Sequence, residues 1–303
     1  MAELIEYLLF SSISAIARRL SFRSAGRVGA FLGRVVFTLT GFRKAITLEN
    51  LRHAFPEKSQ EEIRAIACGA FENYGIALVE SLWTYDKSQE ELKQAVRLDN
   101  PEVMDSAIAL GKGVLFLSAH FGSWEFLPSS VRLHIGLPFE MVAQRQRNAR
   151  IDAVIDAART RFGNVTIPMG VSSRRVLTAL AEKKIVLLLG DQSGPKEATF
   201  VNFLGRPAAT HRGVAAFAVK TGCPIVMGLL VRQNDGTYVT TFQEVKRDNM
   251  ETMSQEEAVV ELTQRHVAIL EEWIRRYPDH WLWMHKRWKH TEFFERQHAE
   301  VNQ

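Results

Sequence analysis

The sequence predicts an α/β fold: a largely parallel mixed sheet flanked by helices, with an N-terminal helical region that associates with a membrane. Three observations predict it. Short unbroken apolar runs, bounded by turn residues, alternate with helical patterns from residue 111 onward, as in parallel sheets covered on both faces. The 303 residues, 46% hydrophobic and 24% charged, suffice for one large core with a smaller helical attachment. The first 52 residues carry eight Arg or Lys against three Glu, although the whole chain has a net charge of only +4. A basic, apolar start fits an anionic lipid surface, whereas so small an overall excess gives no argument for nucleic acid.

The elements follow in order. Residues 3–20 read as an amphipathic helix closed by Arg18-Arg19, and residues 24–40 as a second helix. Within the second, Gly29-Ala30-Phe31-Leu32-Gly33 is a small-xxx-small pattern, which permits close helix packing in lipid or within a protein. The run from Leu4 to Ala17 is too short to span a bilayer. It lacks a basic leader and ends in arginines, so it is expected to remain on the chain uncleaved. Residues 43–54 and 59–82 read as helices, the latter opened by a Ser59/Glu62 capping box. Its stripe Phe71, Tyr74, Leu78 and Leu82 has core spacing. Residues 88–110 read as polar helix, broken at Asn100-Pro101.

Strands are expected at Val114–Ser118, Phe139–Ala143, Val165–Ile167, Ile185–Leu189 and Pro224–Val231, with an exposed one at Tyr238–Val245. Helices are expected directly after Phe121, over Ile151–Arg161, over Ser172–Glu182, within Ala208–Thr221 after a loop, and over Gln255–Arg276. The predicted division is 1–42 for the membrane-associating helices, 43–110 for a helical segment packed on the core, and 111–303 for the α/β core. Cys68 and Cys223 have no redox or metal spacing and belong to apolar patterns.

Several chemistries lack their signature. The chain has no Gly-x-Ser-x-Gly elbow, P-loop, Gly-x-Gly-x-x-Gly after a strand, or His-Glu-x-x-His. His280 and His285 are misplaced for a zinc pair on one helix face. No metal or other cofactor is expected. What remains is a base acting on a bound hydroxyl, and the string Ser118-Ala119-His120-Phe121-Gly122-Ser123-Trp124-Glu125 supplies one. His120 ends an apolar strand, and Glu125, five positions on at the start of the expected helix, is placed to orient it. Gly122 allows close backbone approach, and Trp124 supplies an apolar wall.

This string resembles the His-x4-Asp/Glu signature of glycerolipid acyltransferases and, more narrowly, the bacterial lipid A biosynthesis acyltransferases that add secondary lauroyl or myristoyl chains. Further blocks resemble that family in order: Asn50-Leu51 through Glu57, Arg147-Asn148 through Asp152, Gly190-Asp191-Gln192, Phe200 through Thr210, and Trp283 through Lys289. The resemblance implies acyl transfer from an acyl-carrier-protein thioester to a hydroxyl of a lipid A precursor or related glycolipid. The place it implies is the cytoplasmic face of a bacterial inner membrane, bound peripherally or monotopically. His120 would be the base and Glu125 its partner. Donors for the oxyanion would come from backbone N–H groups near Gly122 and Ser123, or from Arg145 or Arg147. Asn148, Asp191 and Arg206 complete the expected substrate-binding set, and Asp191 and Arg206 lie in loops after strands, where α/β sites form.

Arg174, Arg175, Lys183 and Lys184 are candidates to meet an acidic carrier protein. Lys286, Arg287 and Lys289, interleaved with Trp281, Trp283 and Trp288, have the texture of a membrane interface, or equally of an amphipathic core edge with snorkelling cations. Other acceptors (a lysophospholipid, a mannosylated phosphoinositide, an aminolipid), thioester hydrolysis and non-catalytic lipid binding remain alternatives on the residues alone.

Overall fold

A computed structural model describes residues 1–170 and 172–301; residue 171 and residues 302–303 of the predicted 111–303 core lie outside it. Helices α1 (Ala2–Arg19), α2 (Phe22–Leu39), α3 (Lys44–Ala54) and α4 (Gln60–Trp83) come first. Ser59 and Glu62 form the expected reciprocal cap of α4. Then follow α5 (Gln89–Ala95), β1 (Val96–Leu98), α6 (Glu102–Ala109), β2 (Val114–Ser118), α7 (Leu127–Ile135), β3 (Phe139–Ala143), α8 (Ala149–Thr160), β4 (Val165–Pro168), α9 (Ser172–Ala181) and β5 (Ile185–Leu189). The rest is β6 (Thr199–Phe203), β7 (Arg206–Thr210), α10 (Gly213–Thr221), β8 (Ile225–Arg232), β9 (Tyr238–Glu244), α11 (Gln255–Arg276) and α12 (Thr291–Val301).

Seven strands form one sheet in the order β1-β9-β8-β2-β5-β3-β4. Five of them run parallel, from β8 to β4; β9 is antiparallel to β8, and β1 follows β9. The mixed, mostly parallel sheet is therefore the one the apolar runs predict. The chain leaves β2 toward β3 on one side and returns to β8 on the other. That is a topological switch point, where the carboxyl ends of the strands open a crevice.

Four local readings need correction. Residues 88–110 are not all helix: Val96–Leu98 pairs in parallel with β9, and Val96 is buried there. The β9 strand is half-buried rather than exposed, with Tyr238, Thr240 and Phe242 turned inward. Residues 199–210 form a hairpin of their own, with Leu204 and Gly205 at φ 51° and 81° in its tight turn. Pro207 is tolerated there because a two-stranded ribbon leaves edges free. Cys68 is half-buried, whereas Cys223 is core.

The glycines of α2 serve contact within the chain. A Cβ on Gly33 would lie 2.1 Å from Phe71 O, one on Gly29 2.5 Å from Ile76 Cα, and one on Gly75 2.2 Å from Gly29 O. Helices α2 and α4 thus meet backbone against backbone. Their outer side, with α1, bears exposed Leu4, Leu8, Ile13, Phe31, Leu39 and Phe42. Among the described residues no helix is long and apolar enough to cross a membrane.

Candidate active site

The site is built by register. Strands β2 and β5 are parallel neighbours, with Ser118 opposite Leu189. Two residues beyond each lie His120 and Asp191, so the histidine meets a carboxylate from the adjacent strand end. His120 Nδ1 is 2.9 Å from Asp191 Oδ1, and the His120 backbone N–H donates to Asp191 Oδ2 at 3.0 Å. Trp281 Nε1 donates to the same Oδ2 at 2.9 Å. Burial raises the Asp191 carboxyl, but His120 and these donors outweigh it and leave the group below its usual range. For His120, burial is the largest influence and pushes down, but Asp191 and Glu125 together push up further, so the imidazole lies above its ordinary value. Gln192 Nε2 stands 3.4 Å from His120 Nε2, the ring nitrogen that Asp191 does not engage.

Glu125 is placed differently from expectation. No helix follows Phe121 directly; Phe121 bridges to Trp281, Gly122 turns at φ +56°, and α7 begins only at Leu127. Glu125 therefore projects from a turn toward α8, where Arg159 grips it with a two-pronged contact, Nη2 to Oε1 at 2.7 Å and Nε to Oε2 at 3.1 Å. Burial works against the Arg159 charge, and Glu125 outweighs it. Sequence reading missed Arg159, which sits in an ordinary helix with no motif around it.

The other expected residues divide. The Gly122 N–H donates to His280 O at 2.9 Å, and a Cβ there would strike Leu230 O at 2.1 Å; the N–H is thus occupied and the glycine is required by close approach. Ser123 is fully buried. Asn148 caps α8 through the Arg150 N–H and donates to Glu3 O at 2.7 Å, while Arg147 pairs with Glu6 at 2.7 Å. Both tie α1 to α8. Arg145 is exposed in the loop before α8. Arg206 lies at the turn end of the β6–β7 hairpin, and the opposite end, Thr210, bridges to Ser193 beside the site. Lys183 and Lys184 stand where β5 begins, the far edge of the sheet from His120, and Lys184 is shared by Glu140 and Glu182.

The C-terminal aromatic-basic block is not an exposed interface. Trp281, Trp283, Trp288 and Arg287 are buried, with Trp281 and Trp283 edge-on at 4.8 Å; Lys286 and Lys289 remain exposed.

An apolar cavity of about 790 Å³ is lined by residues of α1, α2, α4 and α8, with Glu125 and Arg159 among them. Tyr74, Leu78 and Leu82, read from the sequence as core, line it together with Phe10, Leu32 and Ile155. Trp124 joins it to the base: its ring stacks on Tyr74 and lies 5.3 Å from the His120 ring. A base held by a buried carboxylate, with an arginine and a large apolar cavity close by, has the parts for transfer of a fatty acyl group.

The family model for the bacterial lipid A biosynthesis acyltransferase matches residues 3–290. The chain belongs to that family. Among curated proteins it is similar to the lipid A biosynthesis palmitoleoyltransferase of Escherichia coli K12, 24% identical over 266 residues, which cover 86% of this chain and 84% of that protein. It is also similar to the lipid A biosynthesis lauroyltransferase of the same organism, 23% identical over 265 residues, covering 87% and 84%. A lipid A biosynthesis acyltransferase of Shigella flexneri is 24% identical over 266 residues, with 86% and 84% covered. Membership in the lipid A biosynthesis acyltransferase family gives this chain an enzymatic activity of the acyltransferase type.

Proposed function

We propose that the protein moves a fatty acyl group from an acyl-carrier-protein thioester to a hydroxyl of a lipid A precursor or related glycolipid, with His120 as general base. The observation that carries this reading is the His120–Asp191 pair, joined through Trp124 and Tyr74 to an apolar cavity that Glu125 and Arg159 help to line. In the step, His120 Nε2 takes the acceptor hydroxyl proton as that oxygen bonds to the thioester carbonyl carbon. Asp191 holds Nδ1–H and stabilises the imidazolium. The carbonyl electron pair moves onto its oxygen, where Arg159, oriented by Glu125, meets the charge. Collapse breaks the carbon–sulfur bond, and the departing thiolate takes the proton from His120. The thioester is already activated, so the step needs no further group.

The acyl chain lies in the cavity. The exposed apolar faces of α1 and α2, with the arginines around them, dock the protein on the cytoplasmic leaflet of a bacterial inner membrane. Ile13, Leu32 and Leu78 support this, since each both lines the cavity and is exposed to the surroundings.

The test incubates purified protein with defined acyl-carrier thioesters and a panel of lipid acceptors, wild type beside His120→Ala, and reads products by mass spectrometry. Acceptor-dependent acylated lipid, lost in His120→Ala, is expected. Free fatty acid released without acceptor would make the protein a hydrolase, and undiminished transfer by His120→Ala would remove the base.

A further inference from the structure

We propose that Arg287 is a positioning residue for this site: the buried counter-cation of Asp191 and the tie that fixes the loop carrying it. The inference rests on the reading of His120 as the base.

Arg287 is 1% exposed. Its Nη1 donates to Ala209 O at 2.6 Å and its Nη2 to Thr210 Oγ1 at 2.5 Å, and its guanidinium carbon lies 5.1 Å from the centre of the Phe203 ring. Nε makes no hydrogen bond, and among the described residues no carboxylate comes within 4.0 Å of the guanidinium. Taking a guanidinium out of water is costly, and two neutral acceptors return only part of that cost. An arginine kept there as packing alone would be an expensive filler.

The groups facing it are the other half of the argument. From α11 comes His266, with an unpartnered Nε2 and a ring that burial pushes to about 3. His285, pushed by burial to about 4, stands on the same segment. His211 and Lys289 complete the surroundings. All are neutral or positive. Among the described residues, Asp191 is the anion that acts on Arg287. The groups acting on His120 itself are Asp191 and Glu125, with His285 and Gln192 beside them.

A chain of hydrogen bonds joins the same groups. Ala209 O, which accepts from Arg287, also accepts the Gly194 N–H at 2.9 Å. Thr210, the other acceptor, bridges to Ser193. The Ser193 N–H in turn donates to His285 Nε2 at 3.0 Å. Residues 191–194, 209–210 and 285–287 thus form one knot, with Asp191 at its front and Arg287 at its back. The guanidinium balances the carboxylate, so the histidine feels a tempered negative charge and remains a usable base near neutrality.

The test follows the His120 imidazole by NMR in detergent-solubilised protein with 15N-labelled histidine, its signal assigned by comparison with His120→Ala. Arg287→Gln keeps hydrogen-bond donors without charge, Arg287→Lys keeps charge without the fork, and Arg287→Met keeps neither. Removing the cation leaves Asp191 uncompensated, so the His120 titration in Arg287→Gln and Arg287→Met is expected to move upward by about one pH unit. Arg287→Lys is expected to stay near wild type. The acidic limb of kcat should move with it, with kcat down about tenfold at neutral pH and KM little changed. If the Met variant does not fold, the Gln–Lys pair decides. A His120 titration and acidic limb unmoved in Arg287→Gln, with only the melting temperature lowered, overturns the inference. Full transfer by His120→Ala would instead sink the base reading, while the NMR titration would still report on Arg287.

Discussion

Two buried carboxylates flank the loop that carries His120, and their surroundings drive them in opposite directions. Asp191, behind the histidine, accepts from the His120 backbone and Trp281 and faces the imidazole, and it is held below the usual carboxylate range. Glu80, on α4 beneath Ser123, accepts from Tyr238 at 2.6 Å and lies 3.6 Å from Arg232, while its Oε1 has no hydrogen bond. Burial, only partly offset by those neighbours, raises it to about 7. Depth is nearly the same for both, at 3% and 0% exposed. Donor supply therefore decides which acid stays charged, and the acid with the donors is the one that touches the base.

The sharpest way to break this contrast is Asp191→Asn. It keeps the shape but offers Nδ1 the wrong partner and favours the wrong tautomer, so kcat should fall about 10³–10⁴-fold with the fold intact by circular dichroism. A loss under tenfold would mean that Asp191 does not hold the base. Next is the third carboxylate, Glu125, which serves an arginine instead of the histidine. Arg159→Met should lower kcat about 10²-fold, and Glu125→Gln somewhat less. The double variant should cost little more than Arg159→Met alone, because the two act as a unit; additive losses in that cycle would separate them.

The smallest effect is expected from Glu80→Gln, with acyl transfer within a few-fold of wild type. Its signature is in stability. The folded Glu80 holds a proton that the unfolded chain has released between about pH 4.5 and 7, so its contribution to stability falls as pH rises through that window. His266 and His285, held neutral, act in the opposite sense: their contribution fades as pH drops below about 6.5. Urea unfolding of wild type and Glu80→Gln at pH 5, 6 and 7 isolates the first term. The wild-type advantage should shrink with rising pH; a constant difference would show Glu80 ionised throughout.

Both members of the central pair were legible in the sequence, but their pairing was not. Glu125 is close to His120 along the chain, and a helix starting at Phe121 would have kept it there. The Phe121–Trp281 bridge and the Gly122 turn delay that helix to Leu127, and both depend on a segment about 160 residues away. The better signal lay in aligning two apolar runs, 114–118 and 185–189, whose parallel register carries His120 to Asp191. Arg159 offered no such signal, since its partner is fixed by how α8 packs. The tryptophans near the C-terminus left two readings open for a related reason: aromatics between cations look the same at an interface and at a core edge, and ring-on-ring packing decides for the core. The α/β architecture itself was readable because fully buried strands leave uninterrupted apolar runs that few other structures produce.

The interlock of Gly29, Gly33 and Gly75 has a mechanical consequence. Backbones that touch cannot slide without a clash, so the two helices respond to any push from their surroundings as a single beam. One side of that beam belongs to the greasy outer surface of the molecule, and Gly33 and Gly75 also line the apolar cavity. A side chain at either position would push the two backbones apart and reshape that cavity.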